Sequence, residues 1–142
     1  MESTKKKYVA VSGGFDPIHI GHVRMIREAA SIGDVIVIAN SDNWLKRKKG
    51  YVFMPYVERQ EILFNIKGVV DVVEALDEDN TVCESLRKIK PDVFANGGDR
   101  KSGNVPEYDV CNELGIEMRF GVGGSDKPQS SSWLVDNMRK KS

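Results

Sequence analysis

Tyr8-Val9-Ala10-Val11-Ser12-Gly13-Gly14-Phe15-Asp16-Pro17-Ile18-His19-Ile20-Gly21-His22 decides how this chain is read. Its first five residues make a short apolar run, and the glycine pair that follows predicts a buried strand ending in a sharp turn. Beyond the turn, Val23, Ile26, Ala29 and Ala30 fall at helical spacing over residues 20–32, and Gly33 stops the pattern. Strand, glycine turn and helix in that order open a layered α/β fold.

The same alternation continues downstream. Residues 34–39 are β-branched and continuous, as in a strand covered on both faces. Residues 40–53 read as a polar, basic loop. Pro55 suits the start of a helix over 56–66. A strand at 69–73, a helix at 81–89 ended by Lys90-Pro91, and a strand at 92–95 follow. That strand runs into Asn96-Gly97-Gly98-Asp99. Then come a helix at 105–114 stopped by Gly115, a strand at 116–120, a Gly- and Ser-rich loop, and a helix over about 131–140. The expectation is an α/β chain forming a single Rossmann-like, doubly wound domain. It has a five-stranded parallel sheet, right-handed crossovers and a C-terminal helix. One domain spans residues 1–142, with its core at about 8–136. In such sheets ligands bind beyond the carboxyl ends of the strands. The loops at 13–22, 40–53, 96–100 and 121–132 should therefore meet at one crevice.

Composition narrows the function classes. Hydrophobic residues make up 40% and charged residues 30%, the balance of an ordinary soluble globular protein. Lys plus Arg equals Asp plus Glu at 21 each, so no net charge draws the chain to nucleic acid. The basic run Lys46-Arg47-Lys48-Lys49 is confined to one loop. Cys83 and Cys111 have no ligand spacing and read as free thiols, which fits a reducing, cytoplasmic setting. After Lys5-Lys6-Lys7 the apolar run is too short for a signal peptide or a membrane span.

His19 and His22 are the protein's 2 histidines, three residues apart at the start of a helix, so they share a side. Gly13 and Gly14 let backbone N–H groups approach a ligand, Gly21 leaves room beside the chain, and the helix start carries partial positive charge. An anion fits such a place. The same spacing equally suits metal ligation or a helix cap. A transition metal needs a third ligand, and only Asp16 is near. No Gly-Lys-Ser/Thr follows the glycines, so this is not a Walker loop.

The Gly-x-Phe-Asp turn followed by His-x-Gly-His resembles the signature of the cytidylyltransferase-like nucleotidyltransferases. The resemblance extends from about Tyr8 to Val135 and is strongest to the sugar-phosphate branch, with its heptose-phosphate adenylyltransferases and glycerol-3-phosphate cytidylyltransferases. It implies that His19 and His22 contact the triphosphate and stabilise charge at the α-phosphorus, with Phe15 and Asp16 shaping the loop. Lys46, in Lys46-Arg47-Lys48-Lys49-Gly50, matches the family's phosphate-binding lysine. Glu58-Arg59 resembles a family motif in which Arg59 reaches a phosphate, with a helix-surface salt bridge as its other reading. Asn96-Gly97-Gly98-Asp99 resembles the heptose branch's Lys-Gly-Gly-Asp turn, with Gly97, Gly98 and Asp99 at the nucleotide. Ser130, Ser131 and Ser132 stand where the family binds the β- and γ-phosphates. Three departures are visible. Asn96 replaces the lysine, Arg100 replaces an aromatic neighbour, and Lys127 occupies the region where cytidylyltransferases carry an arginine.

The implied reaction moves AMP or CMP from ATP or CTP to a small phosphorylated sugar or polyol and releases pyrophosphate. Mg²⁺ would be held mainly by substrate phosphates, and Trp44 and Arg100 would line the acceptor pocket. A homodimer is implied by the family alone. A non-catalytic nucleotide-binding regulatory module is the competing class.

Overall fold

The computed structural model describes residues 7–76, 81–97 and 107–122. Among them the chain runs β1 (Tyr8–Gly13), α1 (Ile20–Ala30), β2 (Asp34–Ala39), α2 (Asp42–Lys49), α3 (Tyr56–Phe64), β3 (Val69–Glu74), α4 (Cys83–Ile89), β4 (Val93–Gly97), α5 (Tyr108–Leu114) and β5 (Glu117–Val122). The strands form one sheet in the order β3-β2-β1-β4-β5, and every pairing is parallel. The doubly wound sheet expected from the alternation is therefore present. The expected C-terminal helix lies outside the described residues.

The apolar runs pair in the middle of the sheet because both their faces are covered. Val9, Ala10 and Val11 of β1 and Val35, Val37, Ile38 and Ala39 of β2 are all fully buried. One cluster joins Val9, Val11, Val93 and Ala95 to Ile26 and Ala29 of α1 and Leu63 of α3. The other joins Ala10, Ile38 and Phe94 to Leu86 of α4 and Val110 and Cys111 of α5. The helices thus divide between the two faces, α1 and α3 on one and α4 and α5 on the other. Two glycines permit close packing. A Cβ on Gly33 would lie 2.4 Å from the Lys7 carbonyl oxygen, and one on Gly68 would lie 2.6 Å from Ala30 Cβ.

The order of strands places the switch point between β1 and β4. The chain winds outward from β1 through β2 to β3, then returns to β4 beside β1. Crevices at the carboxyl edge open at such a reversal.

The segment after β2 corrects the sequence reading. Residues 40–53 are not one loop, because residues Asp42–Lys49 are helical. Ser41 caps this α2, its hydroxyl oxygen accepting from Trp44 N–H at 3.0 Å, and Asp42 sits in the first turn. Leu45 is 1% exposed and anchors the helix, while Gly50 ends it at φ 87°. The four basic residues fall in the last turns, where cations complement the helix dipole.

Candidate active site

Three segments meet at the carboxyl edge of β1 and β2. The turn after β1 carries Gly13, Gly14, Phe15 and Asp16 and leads into His19, Gly21 and His22 of α1. Its neighbours are α2 and the stretch from Gly50 to Pro55.

His19 is the N-cap of α1, and its Nδ1 accepts the Gly21 N–H at 3.0 Å. His22, three residues on, reaches back, and its Nδ1 accepts the His19 N–H at 3.2 Å. The pair is a reciprocal capping box built from two imidazoles. The helix cap weighed from the spacing is therefore real, and it fixes the tautomer. A ring whose Nδ1 accepts an N–H carries its own proton on Nε2. Both rings thus hold an Nε2–H donor on the edge away from the cap. The rings stack at 3.9 Å between centroids with 22° between planes. Capping with Nδ1 and donating with Nε2 are compatible roles for one imidazole.

Phe15 braces this pair. It has a left-handed backbone, φ 53°, which costs a bulky residue roughly 1–2 kcal/mol. Its ring is 2% exposed and meets His22 edge-on at 4.8 Å. Asp16, 1% exposed, follows and accepts from Phe53 N–H at 2.8 Å, from Met54 N–H and from Lys49 Nζ at 3.3 Å. Lys49 also donates to the Asp16 carbonyl at 2.8 Å. The carboxylate therefore clamps the 50–54 stretch against the glycine turn.

Arg59 is fully buried rather than on a helix surface. Nε donates to the Met54 carbonyl, Nη1 to the carbonyls of Gly14 and Asn40, and Nη2 to Asp42 Oδ1, each at 2.8 Å. The guanidinium fork suits several acceptors at once. Arg59 ties the glycine turn, the end of β2 and the start of α2 together, while Asp42 also accepts the Tyr56 N–H at 2.9 Å and so caps α3. Its spacing gave no hint of this, since the acceptors include the carbonyls of Gly14 and Asn40, far from it in sequence.

The glycine pair also has a packing reason. Neither has positive φ, and a Cβ on Gly14 would come 3.2 Å from Leu45 Cδ2. Gly14 admits α2 to the crevice. Lys46 lies exposed on α2, and the lysine that reaches the turn is Lys49, one helical turn later. Sequence reasoning missed Lys49, although residues three apart share a helix face. Trp44 is half-buried on α2, with Lys48 Nζ 5.8 Å from its ring centroid. Gly97 ends β4 beside β1. Gly98, Asp99, Arg100, Lys127, Ser130, Ser131 and Ser132 lie outside the described residues.

Among the described residues no group of three or more His, Cys, Asp or Glu side chains converges as a metal site. The two acids of the crevice, Asp16 and Asp42, are engaged with Lys49, Arg59 and backbone N–H groups. No helix of the described residues is long and apolar enough to cross a membrane.

Comparisons with known proteins assign this fold to a family. The cytidylyltransferase-like family model matches residues 10–115, and the chain belongs to that family. It is 35% identical over 137 residues to the bifunctional protein HldE of Nitratiruptor sp., covering 94% of this chain and 28% of that protein. It is 39% identical over 113 residues to HldE of Campylobacter concisus, covering 78% of this chain and 24% of that protein. The chain thus spans about a quarter of the length of these curated relatives. Its fold matches the crystal structure of the lipopolysaccharide core biosynthesis protein from Thermoplasma volcanium with a TM-score of 0.64 at 23% identity, covering 82% of this chain and 95% of that one.

Proposed function

We propose that this protein transfers AMP or CMP from ATP or CTP to a small phosphorylated sugar or polyol and releases pyrophosphate. The observation that carries the reading is the stacked His19–His22 pair, whose Nδ1 atoms cap α1, and in this reading their Nε2–H groups act as paired donors. Family membership and similarity to HldE support the same class of chemistry.

The acceptor's phosphate oxygen attacks the α-phosphorus. As that P–O bond forms, the bond from the α-phosphorus to its β-bridging oxygen breaks, and pyrophosphate leaves with the electron pair. No side chain becomes covalently attached. The work of the site is bringing two anions together and neutralising the charge that develops. His19 and His22 donate Nε2–H to phosphate oxygens, and the N-terminus of α1 adds its partial positive charge. Because both rings are fixed by the cap, little reorganisation is needed as charge builds.

Lys46 and Ser130, Ser131 and Ser132 hold the β- and γ-phosphates in this reading, with Gly97, Gly98 and Asp99 beside the nucleotide and Trp44 and Arg100 toward the acceptor. Lys49 and Arg59 act indirectly, by holding the turn. Mg²⁺ would be held through phosphate oxygens and water, since Asp16 and Asp42 are already engaged, and it would supply further charge neutralisation. The working unit is a homodimer.

The test is pyrophosphate release with ATP and with CTP against a panel of sugar and polyol phosphates. Release that depends on one acceptor and one triphosphate is expected. Triphosphate binding without release for any acceptor would overturn the reading in favour of a regulatory module.

A further inference from the structure

Asn96 is 3% exposed, and its Nδ2 is a buried side-chain nitrogen with no hydrogen-bond partner among the described residues. Buried polar groups are nearly always paired, so an unpaired amide in a sheet asks for an explanation. Its place in the fold supplies one. Asn96 is next to last in β4, and β4 pairs with β1 at the switch point. The register pairs Val9 with Val93 and Ala10 with Phe94, so Asn96 lies two residues beyond the last of these pairs, toward the edge where β1 enters the glycine turn. On its other side the β4–β5 register shifts between Ala95 and Gly97, so the ladder is irregular beside Asn96.

The chemistry of this donor differs from that of the imidazole pair. Val93 and Ala95 pack in the cluster that holds Phe15 and α1, whereas Phe94 packs in the cluster under α4 and α5. Asn96 stands where β4 becomes irregular, beside the strand β1 that leads into the glycine turn. Phosphates are held by charge-assisted bonds and helix N-termini, which are the resources of the α1 side. A neutral, buried amide instead suits a neutral acceptor.

We propose that Asn96 Nδ2 reads the nucleoside half of the triphosphate, donating to a base carbonyl, a base ring nitrogen or a ribose hydroxyl. This rests on the nucleotidyltransferase reading and names a residue that selects its substrate. A site with a buried donor discriminates strongly against a ligand that leaves the donor unpaired.

Asn96→Leu is nearly the same size and removes the donor. The test measures melting temperature and affinity of the full chain with Mg-ATP, Mg-CTP and inorganic tripolyphosphate. The variant alone is expected to melt at or above the wild-type temperature, because the unpaired amide contributes no bond in the free protein. Its affinity for the preferred nucleotide should fall about tenfold, the weight of one neutral hydrogen bond (about 1.4 kcal/mol). Its affinity for tripolyphosphate should not change. A loss for only one of ATP and CTP assigns the base, and an equal loss that disappears with the deoxynucleotides assigns the ribose.

Unchanged nucleotide affinity overturns the proposal, as does an equal loss for tripolyphosphate. Asn96→Ala serves as the second variant. If neither folds, the amide is structural and the proposal fails. Wild-type protein that binds neither nucleotide defeats the nucleotidyltransferase reading as well, whereas wild-type binding with an indifferent variant defeats only the role of Asn96.

Discussion

Replacing His19 by asparagine separates the two jobs assigned to one ring. The carboxamide oxygen of asparagine falls near the position of Nδ1, and asparagine is among the preferred N-caps. Its side chain ends short of Nε2. The bond from Gly21 N–H is therefore retained while the outer donor is lost. His19→Ala loses both. Loss of an N-cap costs about 1 kcal/mol, which lowers the melting temperature of a chain this size by about 2–5 °C. Loss of one donor aimed at developing charge costs ~10²–10³-fold in turnover. His19→Asn should therefore melt close to wild type yet release pyrophosphate ~10²-fold or more slowly, and His19→Ala should show both defects. His19→Gln, whose amide nitrogen reaches the Nε2 position, should recover part of the rate at the expense of the cap. The assays are thermal melting and pyrophosphate release at saturating triphosphate. Turnover by His19→Asn within tenfold of wild type would refute the donor role. A melting temperature as low as that of His19→Ala would refute the capping role.

Other perturbations test the framework around the pair. Arg59→Met strands three backbone carbonyls and the Asp42 carboxylate, and a loss of about 3–5 kcal/mol in urea unfolding is expected. Wild-type stability would show that the buried network is dispensable. Gly33→Ala forces a Cβ against the Lys7 carbonyl and should cost roughly 1–3 kcal/mol, whereas an unaltered urea midpoint would contradict the packing. Burial pushes the Cys111 thiol up from 9.0 to about 11, so the folded state holds its proton more tightly than the unfolded chain. The associated stability is present below about pH 9 and is lost as pH rises through about 11. Cys111→Ala should show a shallower decline over that window. At pH 8 a thiol reagent should titrate Cys83 in the native protein and both cysteines only in denaturant.

The sheet was legible because β1 and β2 are buried on both faces and so read as unbroken apolar runs. The helix after the glycine turn was legible from its apolar spacing and from Gly33. The helix α2 was not, because Leu45 is its one buried residue and eight residues give periodicity little to act on. Its signals were the caps, Ser41 at one end and Gly50 at the other, rather than its pattern. The histidine spacing left anion, metal and cap open. Only the structure shows that the cap uses both Nδ1 atoms. From the resemblance Arg59 was read as reaching a phosphate and Asp16 as shaping the loop. Their burial follows from backbone acceptors and donors that converge from distant parts of the chain, which no local pattern encodes. Lys49 was hidden inside a basic run in which each lysine looks alike. Asn96 stood out in the sequence only as a departure from the resemblance, and its unpaired amide needed the structure.

The most direct measurement follows the α-phosphorus itself, by phosphorus NMR of wild-type protein with triphosphate, Mg²⁺ and the acceptor found in the release screen. The expected spectrum shows the α-phosphorus moving into a diphosphate linkage to the acceptor, with inorganic pyrophosphate appearing in equal amount. Nucleoside monophosphate without that linkage would contradict it, and so would a nucleoside diphosphate beside a newly phosphorylated acceptor.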